Sequence, residues 1–444
     1  MAELLSVGLD VGTTSTQMIA SRLQVENTAS AFAGPQMQIV SRQILYQGPV
    51  HFTPLLDRNR VDGEALRQLV AQEYERAGIT PGQVDTGAVI ITGETSRKEN
   101  AKAVMDALAA FAGEFVVTTA GPHLESALAA KGAGATDYGE KTGRTVLHMD
   151  IGGGTANLAW IENGKITKTG CLNVGGRLLK LGSTGTLTYV SPVLKDLTAL
   201  REGDKPALSQ IQEIARQLTQ ALEMAAGLCR KTPLLDALWT RECGPLWQEF
   251  TKAEVLSFSG GVADCIEKEQ PPFAFGDIGP VLGKAIRESV LCQGQYRLGD
   301  ETIRATVIGA GCHSAQLSGS TVFYQNIAFP LKNLPVIYAP EQRRQQDTDQ
   351  TVLALEGIAS PSYQQVRALA AQIAQAAEGP VLVALEKDMA KALGHALSLL
   401  LPKDTPILCI DRVQLAEGSY LDIGAPVGPC LPVVVKTLVL AKNQ

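Results

Sequence analysis

The feature that most constrains this chain is a motif that occurs twice. Asp10-Val11-Gly12-Thr13-Thr14-Ser15 and Asp150-Ile151-Gly152-Gly153-Gly154-Thr155 share the pattern Asp-apolar-Gly-x-x-Ser/Thr, with the aspartates 140 positions apart. Each follows an apolar run and precedes another, Thr16-Gln17-Met18-Ile19 and Ala156-Asn157-Leu158-Ala159. The text predicts a buried strand, a tight glycine turn and a returning strand, with a carboxylate at the lip. Glycines leave backbone N–H groups open to close approach by a phosphate. Thr13, Thr14, Ser15 and Thr155 add hydroxyl donors. One glycine turn is more often structural than phosphate-binding. Two in one chain predict two related halves that grip one nucleotide from opposite sides.

Composition narrows the function classes. A chain of 444 residues allows two or three ordinary domains. Abundant glycine (43) with few aromatics (5%) suits α/β units with tight turns. The net charge of −6 and the absence of a polybasic run argue against nucleic-acid and membrane-surface partners. The eight cysteines (171, 229, 243, 265, 292, 312, 409 and 430) contain no C-x-x-C, which predicts free thiols rather than a disulfide framework or a zinc site. The N-terminus has Glu3 and Asp10 around a short apolar run and lacks the basic start of a signal peptide. No apolar run reaches the roughly 18 residues that span a bilayer. These features predict a soluble, cytoplasmic protein.

In chain order, residues 4–23 read as a hairpin and 37–46 as a further strand, with a loop at 47–61. A helix over Gly63–Ala77 is expected, capped by Asp62, with Leu66, Leu69, Val70 and Tyr74 on one face. Gly87–Thr92 reads as a buried strand, and Ser96-x-x-Glu99 as a capping box for a helix to about Phe111. A strand at Phe115–Thr119 leads to Pro122 at the first turn of an alanine-rich helix, and 132–143 reads as a crossing between domains. Beyond the second hairpin come a strand at 165–174 broken by Gly175-Gly176-Arg177, an amphipathic helix over 206–229, a strand at Val255–Phe258 and a helix after Asp277-Ile278-Gly279-Pro280. Val307–Ser314 reads as a glycine-broken strand entering a helix. The tail alternates helix (364–377, 388–401) and strand (381–385, 407–410, 433–440). His148, inside a strand, is expected to be a packed or edge residue, and His123, His313 and Glu94 to be structural.

Five pieces in this order (7–20, 90–95, 147–160, 258–263 and 307–314) resemble the ATPase superfamily of actin, sugar kinases and heat-shock chaperones. The resemblance implies an α/β fold of duplicated actin-like (ribonuclease H-like) domains, each with a five-stranded sheet and a cleft between them. It implies domains at 1–140 and 141–315, then a C-terminal α/β segment at 316–444 that partly returns to the first. It also implies ATP with Mg²⁺ in the cleft. Gly12, Thr13, Thr14, Ser15, Gly152, Gly153, Gly154 and Thr155 hold phosphates on that view, and Asp10 and Asp150 place the metal through its waters. Gly260, Gly261 and Val262 pass against the adenosine. Glu125 orients the attacking water.

The strings GLDVGTTSTQMI, VIITGETSRKENA, TTAGPHLESALAAKGAGA, HMDIGGGTANLAWI, LSFSGGVADCI and DIGPVLGKAI carry a closer resemblance, to the ethanolamine ammonia-lyase reactivating factors. That kinship implies an ATPase whose partner is the adenosylcobalamin-dependent lyase. The client carries the cobalamin, and the reactivase helps the damaged cofactor leave. A homodimer and association with a bacterial microcompartment stay open. Two other readings remain, a small-molecule kinase of this fold and a non-catalytic actin-like scaffold. No Gly-Asp or Asp-Gln context for a sugar-kinase carboxylate is evident, and the C-terminal end reads as a strand rather than a membrane-targeting helix.

Overall fold

The computed structural model describes residues 2–12, 15–28, 37–57, 60–91, 108, 116–119, 122–240, 253–313, 315–318, 321–338, 350–377, 379–413, 415, 419–426 and 430–437. Thr13, Thr14, Glu94, Cys243 and nearly all of the expected 96–111 helix lie outside these residues.

Two sheets repeat one strand order. In the first, the strands run Met37–Gln47, Ser15–Asn27, Ala2–Val11, Thr86–Ile91, Val116–Thr119. In the second they run Lys165–Leu172, Ala156–Glu162, Val146–Ile151, Val255–Ser259, Tyr296–Leu298. In both, the opening hairpin is antiparallel and the last two strands pair parallel to the first. This shared order and pairing is the duplicated actin-like α/β fold. The strands Thr86–Ile91 and Val146–Ile151 are buried at every residue, as central parallel strands require when both faces are covered. The first sheet also takes up His51–Phe52, paired to Ser15 and Thr16.

The 47–61 stretch expected as a loop therefore holds short strands, His51–Phe52, Leu55–Asp57 and Arg60–Val61. Pairs this brief carry too little alternation to read. The Gly63–Ala77 helix begins where expected, with the Asp62 side chain accepting from the Ala65 N–H at 3.0 Å and Gly78 ending it at φ 68°. The 132–143 stretch is a helix over Ala135–Thr142 rather than a bare crossing segment.

Two crossing helices join the halves. Pro122–Gly132 follows the last strand of the first sheet, and Ala305–His313 follows the last strand of the second and packs back on Ala2–Val11. The second corrects the expected strand at Val307–Ser314. Val307 through Cys312 are all buried, so the run lacks the polar face that marks a surface helix, and its glycines serve close packing. A Cβ on Gly132 would stand 1.9 Å from the Ala305 carbonyl oxygen, and one on Gly309 would stand 2.1 Å from that of Leu128.

The C-terminal residues form an eight-stranded mixed sheet. Leu331–Ile337, Val352–Leu355, Val381–Leu385 and Ile407–Ile410 run parallel, with helices Tyr363–Gln375 and Ala390–Leu400 between them. Its Ala315–Leu317 and Pro432–Thr437 strands touch the two outer strands of the first sheet. Among the described residues no helix is long and apolar enough to cross a membrane, and the seven described cysteines are free thiols.

Candidate functional site

The two hairpin turns close alike. The Gly12 N–H donates to the Ser15 carbonyl at 2.8 Å, and the Gly152 N–H to that of Thr155 at 2.9 Å. Asp10 faces Gln17 across its hairpin, as Asp150 faces Asn157 across the other. Both carboxamides are buried, and among the described residues Gln17 Oε1 and Asn157 Oδ1 have no hydrogen-bond partner. A matched pair of orphan oxygens beside matched carboxylates is costly in a core and marks a place where a further donor belongs.

The second turn is held from behind. The Gly176 N–H donates to the Gly152 carbonyl at 3.0 Å and the Arg177 N–H to that of Gly153 at 2.6 Å. Among the described residues the N–H groups of Gly153 and Gly154 take no partner, and a Cβ on Gly154 would meet nothing within 4 Å. Carbonyls tied back and amides left forward suit an anion. The Ser259-Gly260-Gly261-Val262 loop packs on the same hairpin. Gly260 lies at φ 88° with the space for its Cβ filled by the Ile151 carbonyl at 2.3 Å, and the Val262 N–H donates to that carbonyl at 3.1 Å. Packing alone thus requires glycine at 260. A Cβ on Gly261 would meet only the end of Ile303, at 4.0 Å.

Residues 302–306, which the sequence did not single out, tie the halves together. The Thr302 carbonyl accepts from the Gly260 N–H at 3.1 Å, and the Ile303 carbonyl accepts from Gln17 Nε2 at 3.2 Å. Arg304 Nη2 donates to the Gly48 carbonyl at 3.4 Å, and the Thr306 side chain hydrogen-bonds Asp150. A second tie crosses at the turns themselves. Arg177 bonds Asp277 through Nε at 3.0 Å and lies 5.9 Å from the centroid of the Phe52 ring, whose residue pairs with Ser15. The first and second turns are therefore neighbours across one cleft.

Asp150 is 7% exposed and accepts a short hydrogen bond from Ser259. Burial pushes its carboxyl up to about 6, and the bonds from Ser259 and Thr306 pull the other way. His148 is fully buried between Ser257 and Ser259, and burial pushes its ring down to about 3, so it is neutral. Glu125 is half-buried in the first turn of the Pro122–Gly132 helix, where the adjacent His123 reaches Thr169 of the second sheet at 2.6 Å. Ser259 and Thr306 are bonded to the carboxylate but went unread. Ser259 could have been found, because Ser257-x-Ser259 and His148-x-Asp150 share one two-residue period. Thr306 left no such trace.

The family model for ethanolamine utilisation protein EutA matches residues 2–441. The chain is 40% identical to an ethanolamine ammonia-lyase reactivase of Salmonella typhimurium, with 98% of each chain covered, and 39% identical to the Escherichia coli protein of the same description over the same shares. Among solved structures, the PPX-GPPA enzyme of Aquifex aeolicus matches with a TM-score of 0.42 at 12% identity, over 69% of this chain and 99% of that one.

Proposed function

We propose, from the premise that this chain belongs to the family of ethanolamine utilisation protein EutA, that it reactivates ethanolamine ammonia-lyase through ATP binding and hydrolysis. The observation that carries this is the end-to-end match, over 98% of both chains, to relatives described as reactivases of that lyase. The client carries adenosylcobalamin, and the protein promotes exchange of damaged for intact cofactor. On this reading the chain divides at 1–140, 141–315 and 316–444.

The donor set fits ATP with Mg²⁺. The amides of Gly153 and Gly154, without a partner among the described residues, suit phosphate oxygens, and Gly12 and Ser15 close the facing turn. Asp10 and Asp150 are hard oxygen donors, one per half. Two carboxylates that act through metal-bound waters suit an ion that gives up its hydration reluctantly. Bound Mg²⁺ supplies charge neutralisation at the phosphates. The Gly260–Val262 loop lines the adenosine side, and Glu125 orients water. Residues 302–306 touch Gln17, Gly260 and Asp150 together, so a change in what the turns hold alters how the halves sit. Differential contact with the client in two arrangements would loosen its cofactor site.

The test is restoration of the inactivated lyase by ATP and Mg²⁺. An Asp150→Ala protein that folds is expected to lose it. A variant that restores the lyase as well as wild type ends the proposal. The same protein incubated with ATP and small alcohols tests the kinase reading, which predicts substrate-dependent ADP release.

A further inference from the structure

His148, Ser257 and Ser259 form a buried line that ends on Asp150. Strand period places His148 and Asp150 on one face of Val146–Ile151. The neighbouring parallel strand sets Ser257 beside His148 and Ser259 beside Asp150. His148 Nδ1 lies 3.0 Å from Ser257 Oγ and its Nε2 lies 2.9 Å from Ser259 Oγ. Ser259 Oγ in turn bonds Asp150 Oδ1. His148, Ser257 and Ser259 are each 0% exposed, so water cannot substitute for any member.

We infer that His148 is a positioning residue that acts through Ser259 to hold the Asp150 carboxylate for the metal–nucleotide complex. The directions follow from what each group can do. An ionised carboxylate only accepts, so the Ser259 O–H donates to it. The Ser259 oxygen then accepts from His148, which fixes the proton of the neutral ring on Nε2. Nδ1 is left as an acceptor and takes the Ser257 O–H. Every donor points toward Asp150, and each bond polarises the next. The bland alternative is a histidine that merely fills space between two serines. It predicts no preferred ring proton and no link to Asp150.

This inference rests on the nucleotide reading of the cleft, and its test separates the two. In ¹⁵N-labelled protein without ligand, the ring spectrum of His148 (assigned by its loss in His148→Gln) is expected to show the Nε2–H tautomer. An Nδ1–H ring overturns the proposal. Affinity for a fluorescent adenine nucleotide is then measured with and without Mg²⁺. His148→Leu and Ser259→Ala are each expected to weaken binding about 10-fold with Mg²⁺ and by clearly less without it, as removal of a ligand's supporting partner does. His148→Gln keeps an N–H near the Nε2 position and is expected to restore most of the loss. The double variant His148→Leu/Ser259→Ala is expected to be no worse than Ser259→Ala, because both act along one path. Additive losses overturn the proposal, and wild-type binding in Ser259→Ala overturns it even if His148→Leu fails to fold. A wild-type protein that binds no nucleotide would overturn the site reading and Asp150's role with it. The ring spectrum, which needs no ligand, tells that failure from one of the bonded line alone.

Discussion

At the scale of single residues, Arg177 joins three functions in one side chain. Its backbone holds the Gly153 carbonyl, its guanidinium pairs with Asp277 and it faces Phe52. Asp277 is 8% exposed at its side chain, so it is poorly placed to recruit water when its partner is lost. Arg177→Met keeps the stem and removes the charge. It is expected to cost about 2 kcal/mol at neutral pH, mostly from the carboxylate left buried and unpaired. Burial already raises the Asp277 carboxyl above its ordinary range, and the Gly279 N–H and Arg177 oppose that rise. A raised folded value means that the native state binds the proton more tightly than the unfolded chain. The penalty on the charged form is therefore full above the folded value and is relieved as pH falls through it. Without Arg177 the value rises further, so the variant's deficit should shrink on acidification. Urea unfolding of both proteins from pH 7 to pH 5 checks this, and a deficit that grows toward pH 5 refutes it. The motif pointed to Asp150 and its glycines because spacing along the chain carries them. Arg177 appeared only as a strand break, since its partners lie 100 positions away in Asp277 and in the other half at Phe52.

At the scale of elements, the crossing helices govern how the halves meet. Gly309 faces the Leu128 backbone so closely that a methyl group would lie 2.1 Å from its carbonyl oxygen. Alanine normally favours a helix by about 1 kcal/mol over glycine. Here overpacking against rigid backbone should reverse the sign, giving a net loss of about 1–3 kcal/mol for Gly309→Ala. A thermal midpoint equal to or above wild type would show that the helices can part. This crossing also explains where the sequence misled. Elements with one wet face were legible, Gly63–Ala77 to the residue and Leu208–Ala225 to within two residues at its start and four at its end. So were the short apolar runs Val381–Leu385 and Ile407–Ile410, bounded by turn residues. Val307–Cys312 was not, because a helical run buried at every residue has no alternation with solvent to betray its period. The short strands of 51–61 were hidden for the opposite reason, since two or three residues carry no period at all.

At the scale of the whole molecule, the cores are separate. One cluster lies around Leu147, Leu218 and Phe258 in the second half, and another around Leu9, Leu66 and Ile91 in the first. The C-terminal sheet packs its own residues, around Leu382 and Ile410 on one face and Leu393 and Leu397 on the other. Chains built this way need not unfold in one step. Both turns, Gly260 and residues 302–306 belong to the first two sheets and their connections. Mg²⁺–ADP should therefore stabilise those parts and leave the C-terminal unit where it is. At 100 times its dissociation constant a ligand adds about 2.7 kcal/mol to whatever must unfold to release it. For units of this size that is a rise of about 5 °C or more in midpoint. Leu393→Ala identifies the other transition, because Leu393 is fully buried in the C-terminal core and its truncation costs about 2–5 kcal/mol there. Scanning calorimetry should show one transition lowered by Leu393→Ala and indifferent to nucleotide, and another raised by nucleotide and indifferent to the substitution. If nucleotide moves the Leu393-sensitive transition equally, the C-terminal sheet is part of the nucleotide-responsive body. The motion attributed to two halves would then have to involve three.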